Sequence, residues 1–279
     1  MKRYRMILQV CLFITVSFFC LPAMAADLSD IAGAISAESE NISDKGFRKA
    51  LQIRCAELYR LHASSASGEK AAASLLNASR LFLKADDDAA RAESFVCATM
   101  LVQNHDSSSY APEGMLIIGE IYAGIREYGK AVKTWIECAD KYPKASEIAS
   151  ESLLRAGDLF RKSIKNKVEA EKQYSRLIST YPASKNASLA LMNRAEINDE
   201  EKRYDMAVTD YLTIARKMTT DEIADTAMYE AIEITEDNIK DFKKAYELTV
   251  EFKQKFPNSA HLKKVERMES RLVKYAGGS

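Results

Sequence analysis

Five alanines, Ala92, Ala131, Ala170, Ala207 and Ala245, stand 39, 39, 37 and 38 residues apart, and the residues around them recur with them. Four residues after each come Val96, Trp135, Tyr174, Tyr211 and Thr249; seven after come Thr99, Cys138, Leu177, Ile214 and Phe252. Eleven after come Tyr142, Tyr181, Met218 and Phe256. A series at i, i+4, i+7 and i+11 lies on one face of a helix with 3.6 residues per turn. Pro143, Pro182 and Pro257 follow directly and are expected to end three of these helices, because proline cannot extend the hydrogen-bond ladder. An earlier unit is expected at Ala50, where Phe47-Arg48-Lys49-Ala50 echoes Phe242-Lys243-Lys244-Ala245.

A preceding helix recurs in each unit. Leu75-Leu76-Asn77-Ala78-Ser79-Arg80-Leu81-Phe82 matches Leu153-Leu154-Arg155-Ala156-Gly157-Asp158-Leu159-Phe160, and Leu116 to Tyr122 shares the frame, with weaker matches at 191–197 and 229–234. Small residues in this helix and alanine in the next let two antiparallel helices approach closely, and the aromatics fill the space beside them. A single hairpin of this kind cannot bury its apolar faces, so successive hairpins must stack. Only 10 Gly and 5 Pro in 279 residues suit such a helical chain.

A small residue, an alanine twelve residues on, an aromatic four residues later and a proline at the end resembles the tetratricopeptide repeat. The junctions Lys141-Tyr142-Pro143-Lys144-Ala145-Ser146, Ser179-Thr180-Tyr181-Pro182-Ala183-Ser184 and Lys255-Phe256-Pro257-Asn258-Ser259 lengthen the period beyond 34 residues. They resemble the bacterial-envelope subgroup, which includes the BamD-type component of outer-membrane β-barrel assembly and the Tol–Pal-associated cell-division coordinator. The resemblance implies an all-α fold, a tetratricopeptide-like α-solenoid of five to six hairpins over residues 47–275. It also implies that the first helices line a concave side that holds a protein or peptide, with the second helices behind. Arg80, Glu120 and Asp158, each one residue after the small position, and Arg161 three further on are then the candidate partner-binding residues. Their mixed signs suit a polar, extended peptide.

The chain begins with Lys2, Arg3 and Arg5, an apolar run from Met6 to Leu21, and Ala23-Met24-Ala25. This is the three-part pattern of a signal peptide cleaved after Ala25. The apolar run is too short for a membrane span of about 20 residues, so a periplasmic protein without an integral membrane segment is expected. Phe18-Phe19 before Cys20 leave no lipidation site of the BamD type. Residues 26–46 carry five acids and one base up to Lys45; they are a short helix or a loose tether, and are too short and polar for the coordinator's coiled coil. The three cysteines beyond the leader, Cys55, Cys97 and Cys138, include no Cys-x-x-Cys pair and read as core residues.

Nothing points to catalysis, a cofactor or a metal. His62, His105 and His261 are scattered, and Asp86-Asp87-Asp88 lacks the glycine and glutamate of a calcium loop and is expected to cap the next helix. Ser107-Ser108-Ser109 reads as a loop, as does Ala63 to Glu69, the longest break between units. No glycine-rich nucleotide motif occurs. Forty basic against forty acidic residues argue against a nucleic-acid binder. Residues 259–275 are expected to form a polar-backed capping helix before a frayed tail at 276–279. The expectation is a periplasmic interaction scaffold for a cell-envelope protein or peptide, possible alternatives being a structural subunit of an outer-membrane assembly or export complex and an accessory of a cell-wall enzyme.

Overall fold

The computed structural model describes residues 28–218 and 223–276; the leader expected over 1–25 lies outside the described residues. Thirteen α-helices and no strand occur among them: α1 Leu28–Ser39, α2 Lys45–Ser65, α3 Gly68–Lys84, α4 Asp88–Asn104, α5 Ala111–Gly124, α6 Tyr128–Lys141, α7 Ser146–Leu159, α8 Lys167–Thr180, α9 Asn186–Glu200, α10 Tyr204–Lys217, α11 Ala224–Ile234, α12 Phe242–Lys255 and α13 Leu262–Leu272. This is an all-α helical repeat fold. The chain divides into two compact units, residues 1–121 and 122–279, the division falling in the last turn of α5.

In the first unit α1 packs on α2, burying Leu28 and Ala32, and Gly33 leaves room for the Tyr59 hydroxyl. The core gathers Cys55, Ala56, Leu75, Leu76, Phe82, Cys97, Leu101, Ile117 and Ile121. Asp87 caps α4, its carboxylate accepting from the Ala90 N–H at 2.7 Å, as the acidic run promised. The expected phase of two helices is corrected here. Ala92 is exposed and Val96 is 46% exposed, whereas Ala90, Ser94, Cys97 and Leu101 are buried. Ser94 takes the place of the aromatic because it meets Ser79 rather than glycine. The Ser79 hydroxyl donates to the Ser94 carbonyl at 3.0 Å and the Ser94 hydroxyl to the Ser79 carbonyl at 2.8 Å. Ala50 is likewise exposed; Leu51, Cys55 and Tyr59 face inward instead. The break expected at Ala63–Glu69 shrinks to Ala66-Ser67 because α2 runs on to Ser65, held by a buried His62–Ser74 hydrogen bond of 2.8 Å.

In the second unit the repeat phase holds. Ala131, Ala170, Ala207 and Ala245 are fully buried, and Trp135, Tyr174, Tyr211 and Phe252 are buried beside them. Helices α6, α8 and α12 stop at Lys141, Thr180 and Lys255, two residues before their prolines. The tightest crossing is at Gly157, where a Cβ would lie 2.5 Å from a Tyr174 ring carbon. Two first helices, α7 and α11, end in a π turn, Phe160–Ile164 and Thr235–Ile239, followed by a left-handed lysine, Lys165 or Lys240. Asn166 and Asp241 then cap α8 and α12. The π turn absorbs the extra residue that puts Ala170 thirteen rather than twelve positions after Gly157. Val265, Met268 and Leu272 of α13 close the apolar end against the cluster built from α10, α11 and α12.

Candidate functional site

Successive hairpins are tied by polar bonds between residues about one repeat apart. In the first unit Arg60 pairs with Glu93, Lys49 with Asp87 and Arg80 with Glu113. In the second unit the first helices are joined by Arg161 to Glu196 and Glu200, Asn193 to Asp158, Ser259 to Asp225 and Arg271 to Glu236. The second helices are joined by Arg176 to Asp140 and by a forked Arg216–Glu251 pair. Each bond fixes the spacing of neighbouring hairpins, which apolar packing alone would leave free to slide.

The candidate residues occupy different positions in this lattice. Arg80 donates to Glu113 at 2.7 Å and stays half exposed. Glu120 is exposed on α5. Asp158 is a junction: it accepts from the Tyr174 hydroxyl at 2.7 Å, from Asn193 at 2.8 Å and from Lys162 at 2.8 Å. Burial, reinforced by that carboxylate, pushes the Tyr174 pKa up. Arg161 is only 16% exposed and bonds Glu196 at 2.5 Å and Glu200 at 2.7 Å. Partial burial works against its charge, but the two carboxylates together outweigh it and raise its pKa. Lys167 ties the same two hairpins through Glu200 at 2.9 Å and Glu201 at 2.7 Å.

The same frame continues to Glu196, after Ala195, and Glu233, after Ile232, which the weak matches at 191–197 and 229–234 pass over. Glu230 lies beside them, partly buried. Desolvation raises its pKa first, and Glu233, Asp199 and Glu196 add repulsion that Lys264 only partly offsets. The neighbouring Tyr229 donates its hydroxyl to Glu233 and carries His261 stacked on its ring at 4.5 Å, with Lys264 5.0 Å from the ring centre. Glu196, Asp199, Glu230 and Glu233 thus form an acidic strip along α9 and α11, in which burial first and the neighbouring carboxylates next raise the Glu230 pKa, a setting that a cationic side chain would ease.

The second helices present different chemistry. An open cleft of about 400 Å³ between α10 and α12 is lined by Arg216, Asp241, Lys243, Lys244, Glu247, Leu248 and Glu251, so both signs of charge line it. Cys55, Cys97 and Cys138 are buried, and burial pushes the Cys97 thiol up to about 11. Among the described residues no group of three or more His, Cys, Asp or Glu could hold a metal ion, and no helix is long and apolar enough to cross a membrane. Ser108 and Ser109 of the serine run hold Glu69 from the loop before α5, at 2.9 and 3.2 Å.

The tetratricopeptide repeat family model matches residues 151–184, the span of α7, its π turn and α8. Nothing among curated proteins matches the sequence. Among solved structures the chain is similar to the apo form of RapI, with 13% identity over 88% of this chain and 99% of that one and a TM-score of 0.49. It is also similar to BtubC from P. vanneervenii, with 11% identity over 92% and 94% and a TM-score of 0.41. A third is the TPR2AB domain of yeast Sti1 in its pHSP90 complex, with 14% identity over 88% and 99% and a TM-score of 0.35. At such scores these three bear on nothing beyond themselves. The hairpin α7/α8 is the part of the chain that carries the tetratricopeptide signature.

Proposed function

We propose that the chain is a periplasmic protein-interaction scaffold of the bacterial cell envelope, holding an extended, cation-bearing segment of a protein partner against its first helices. The observation that carries the scaffold reading is the tetratricopeptide match at 151–184, set among second-unit hairpins that repeat the same burial pattern. Tetratricopeptide repeats serve as protein-binding modules. The export pattern ending at Ala25 and the Tyr-Pro junctions at 142–143 and 181–182 support an envelope setting of the kind seen in outer-membrane assembly and Tol–Pal proteins.

On this reading the four candidate residues divide into two roles. Glu120 belongs to the partner-contacting face of the first unit, and Glu196, Asp199, Glu230 and Glu233 form the acidic strip of the second. Arg80 in the first unit and Asp158 and Arg161 in the second set the spacing of neighbouring helices through their bonds. The partner supplies lysine or arginine, whose charge would offset the repulsion among these carboxylates. Affinity capture from crosslinked cells, read by mass spectrometry, tests the reading. A defined envelope polypeptide should copurify in stoichiometric amount; recovery of the chain alone, or with cytoplasmic proteins only, would overturn it.

A further inference from the structure

The chain's two terminal helices carry opposite charges on their outward faces. In α13 the apolar side, Val265, Met268 and Leu272, is spent on the core. The rest is exposed and basic: Lys263, Lys264, Arg267, Arg271 and Lys274, with Ser270 among them and Glu266 as the one exposed acid. Glu269 is already taken by Lys253 at 2.7 Å. Elsewhere in the second unit a cation on one first helix finds its carboxylate one repeat away, as Arg161 finds Glu196 and Arg271 finds Glu236. By position α13 is another first helix, and Lys263 and Arg267 have no ion pair among the described residues. A cap needs only polarity to stay soluble; one sign of charge is more than that task requires.

Helix α1 has the complementary face. It contains no cation, and its exposed residues are Asp30, Ala34, Ala37 and Glu38. Asp30 and Glu38 are eight residues apart, about 12 Å along their helix at 1.5 Å per residue, and the unpaired Lys263 and Arg267, four residues or about 6 Å apart, fit within that span. Between the charges stand small residues, Ala34 and Ala37 on one helix and Ser270 on the other, which permit interaxial distances of about 8–10 Å.

We propose that the basic stripe of α13 receives α1 of a second copy of this chain. An anionic lipid surface fits less well, because α13 has no apolar face left to insert. The contact is heterologous: each copy in a pair still offers one acidic and one basic face, so association extends beyond two protomers. It rests on ion pairs at the surface and is therefore weak and sensitive to salt. It is independent of the partner proposed above, which lies against other helices.

Sedimentation velocity of the purified protein over a concentration series, at about 0.01 M and about 1 M salt, reads this directly. The average mass should rise with concentration past a dimer at low salt and fall to one protomer at high salt. K263E/R267E and D30K/E38K, each retaining its circular dichroism spectrum, should separately weaken association by about tenfold or more. Mixing the two should restore it, since each then meets an opposite charge. A single protomer at every concentration in low salt overturns the proposal, as does association unaffected by either reversal or failure of the mixture to recover. Salt-sensitive binding of a monomeric chain to phosphatidylglycerol vesicles, lost in K263E/R267E, would assign the stripe to lipid and overturn it equally.

Discussion

Gly157→Ala sets two physical effects against each other at one position. Glycine inside a helix costs about 1 kcal/mol relative to alanine, so propensity alone says that the change stabilises. The added Cβ, however, would sit 2.5, 2.8 and 3.0 Å from three Tyr174 ring carbons. Carbon atoms rest at about 3.5–4.0 Å, so the ring must retreat by about 1 Å. It has nowhere to go: Tyr174 is fully buried, and its hydroxyl is held by Asp158 at 2.7 Å. Overpacking costs about 1–3 kcal/mol, and loosening a hydrogen bond to a charged group about 1.5–3 kcal/mol if it breaks. The net expectation is a loss of about 1–3 kcal/mol, a fall in Tm of about 2–10 °C. Gly129→Ala is the control, with no atom within 4 Å of the new Cβ; it should gain about 0.5–1 kcal/mol. In a Tyr174→Leu background Gly157→Ala should lose most of its cost, since the opposing ring is gone. Thermal melts followed by circular dichroism decide it. A Tm for Gly157→Ala at or above that of the parent, or an equal loss with and without the Tyr174 ring, would refute the reasoning.

Ala170→Leu and Ala90→Leu should each cost about 1–3 kcal/mol in urea unfolding, because both alanines are buried, while Lys172→Leu and Ala92→Leu should change stability by less than about 0.5 kcal/mol. Glu230 has a raised pKa in the folded chain, so it costs nothing while protonated in both states and its penalty grows as pH rises through the ordinary glutamate range to the raised value. Glu230→Gln should therefore raise Tm at neutral pH and leave it unchanged in acid, and a pH series of melts checks this. Intact-mass measurement of the protein from its native envelope should give a chain beginning at Ala26 without a lipid adduct.

The hairpins of the second unit could be read directly, because alanine, aromatic and proline there each do a distinct steric job: Ala170 at the crossing, Tyr174 beside it, Pro182 just past the end. The same pattern misled at Ala92 and Ala50. Helix α4 carries apolar residues on both faces, so Ala92 and Val96 mimic a buried stripe while Ser94 and Cys97, less apolar in appearance, are the ones inside. What a serine does at a crossing depends on what it meets, and Ser94 meets Ser79 from another helix. The π turns after α7 and α11 leave only a one-residue change of spacing as their trace. The candidate face was visible in part: the frame led to Asp158 and Arg161, but not to their bonds with Tyr174, Asn193, Glu196 and Glu200. Those partners lie up to a whole repeat away, on helices where charge is common for reasons of solubility alone.

A photocrosslinking amino acid placed by turns at Glu120 and Glu233 on first helices and at Lys133 and Lys172 on second helices tests the partner-binding face most directly. The first-helix positions should capture one discrete envelope polypeptide, and Glu230→Lys should abolish capture at Glu233 while the melting curve stays cooperative. Capture from Lys133 and Lys172 alone would contradict the proposed face and make the chain a structural subunit docked through its second helices.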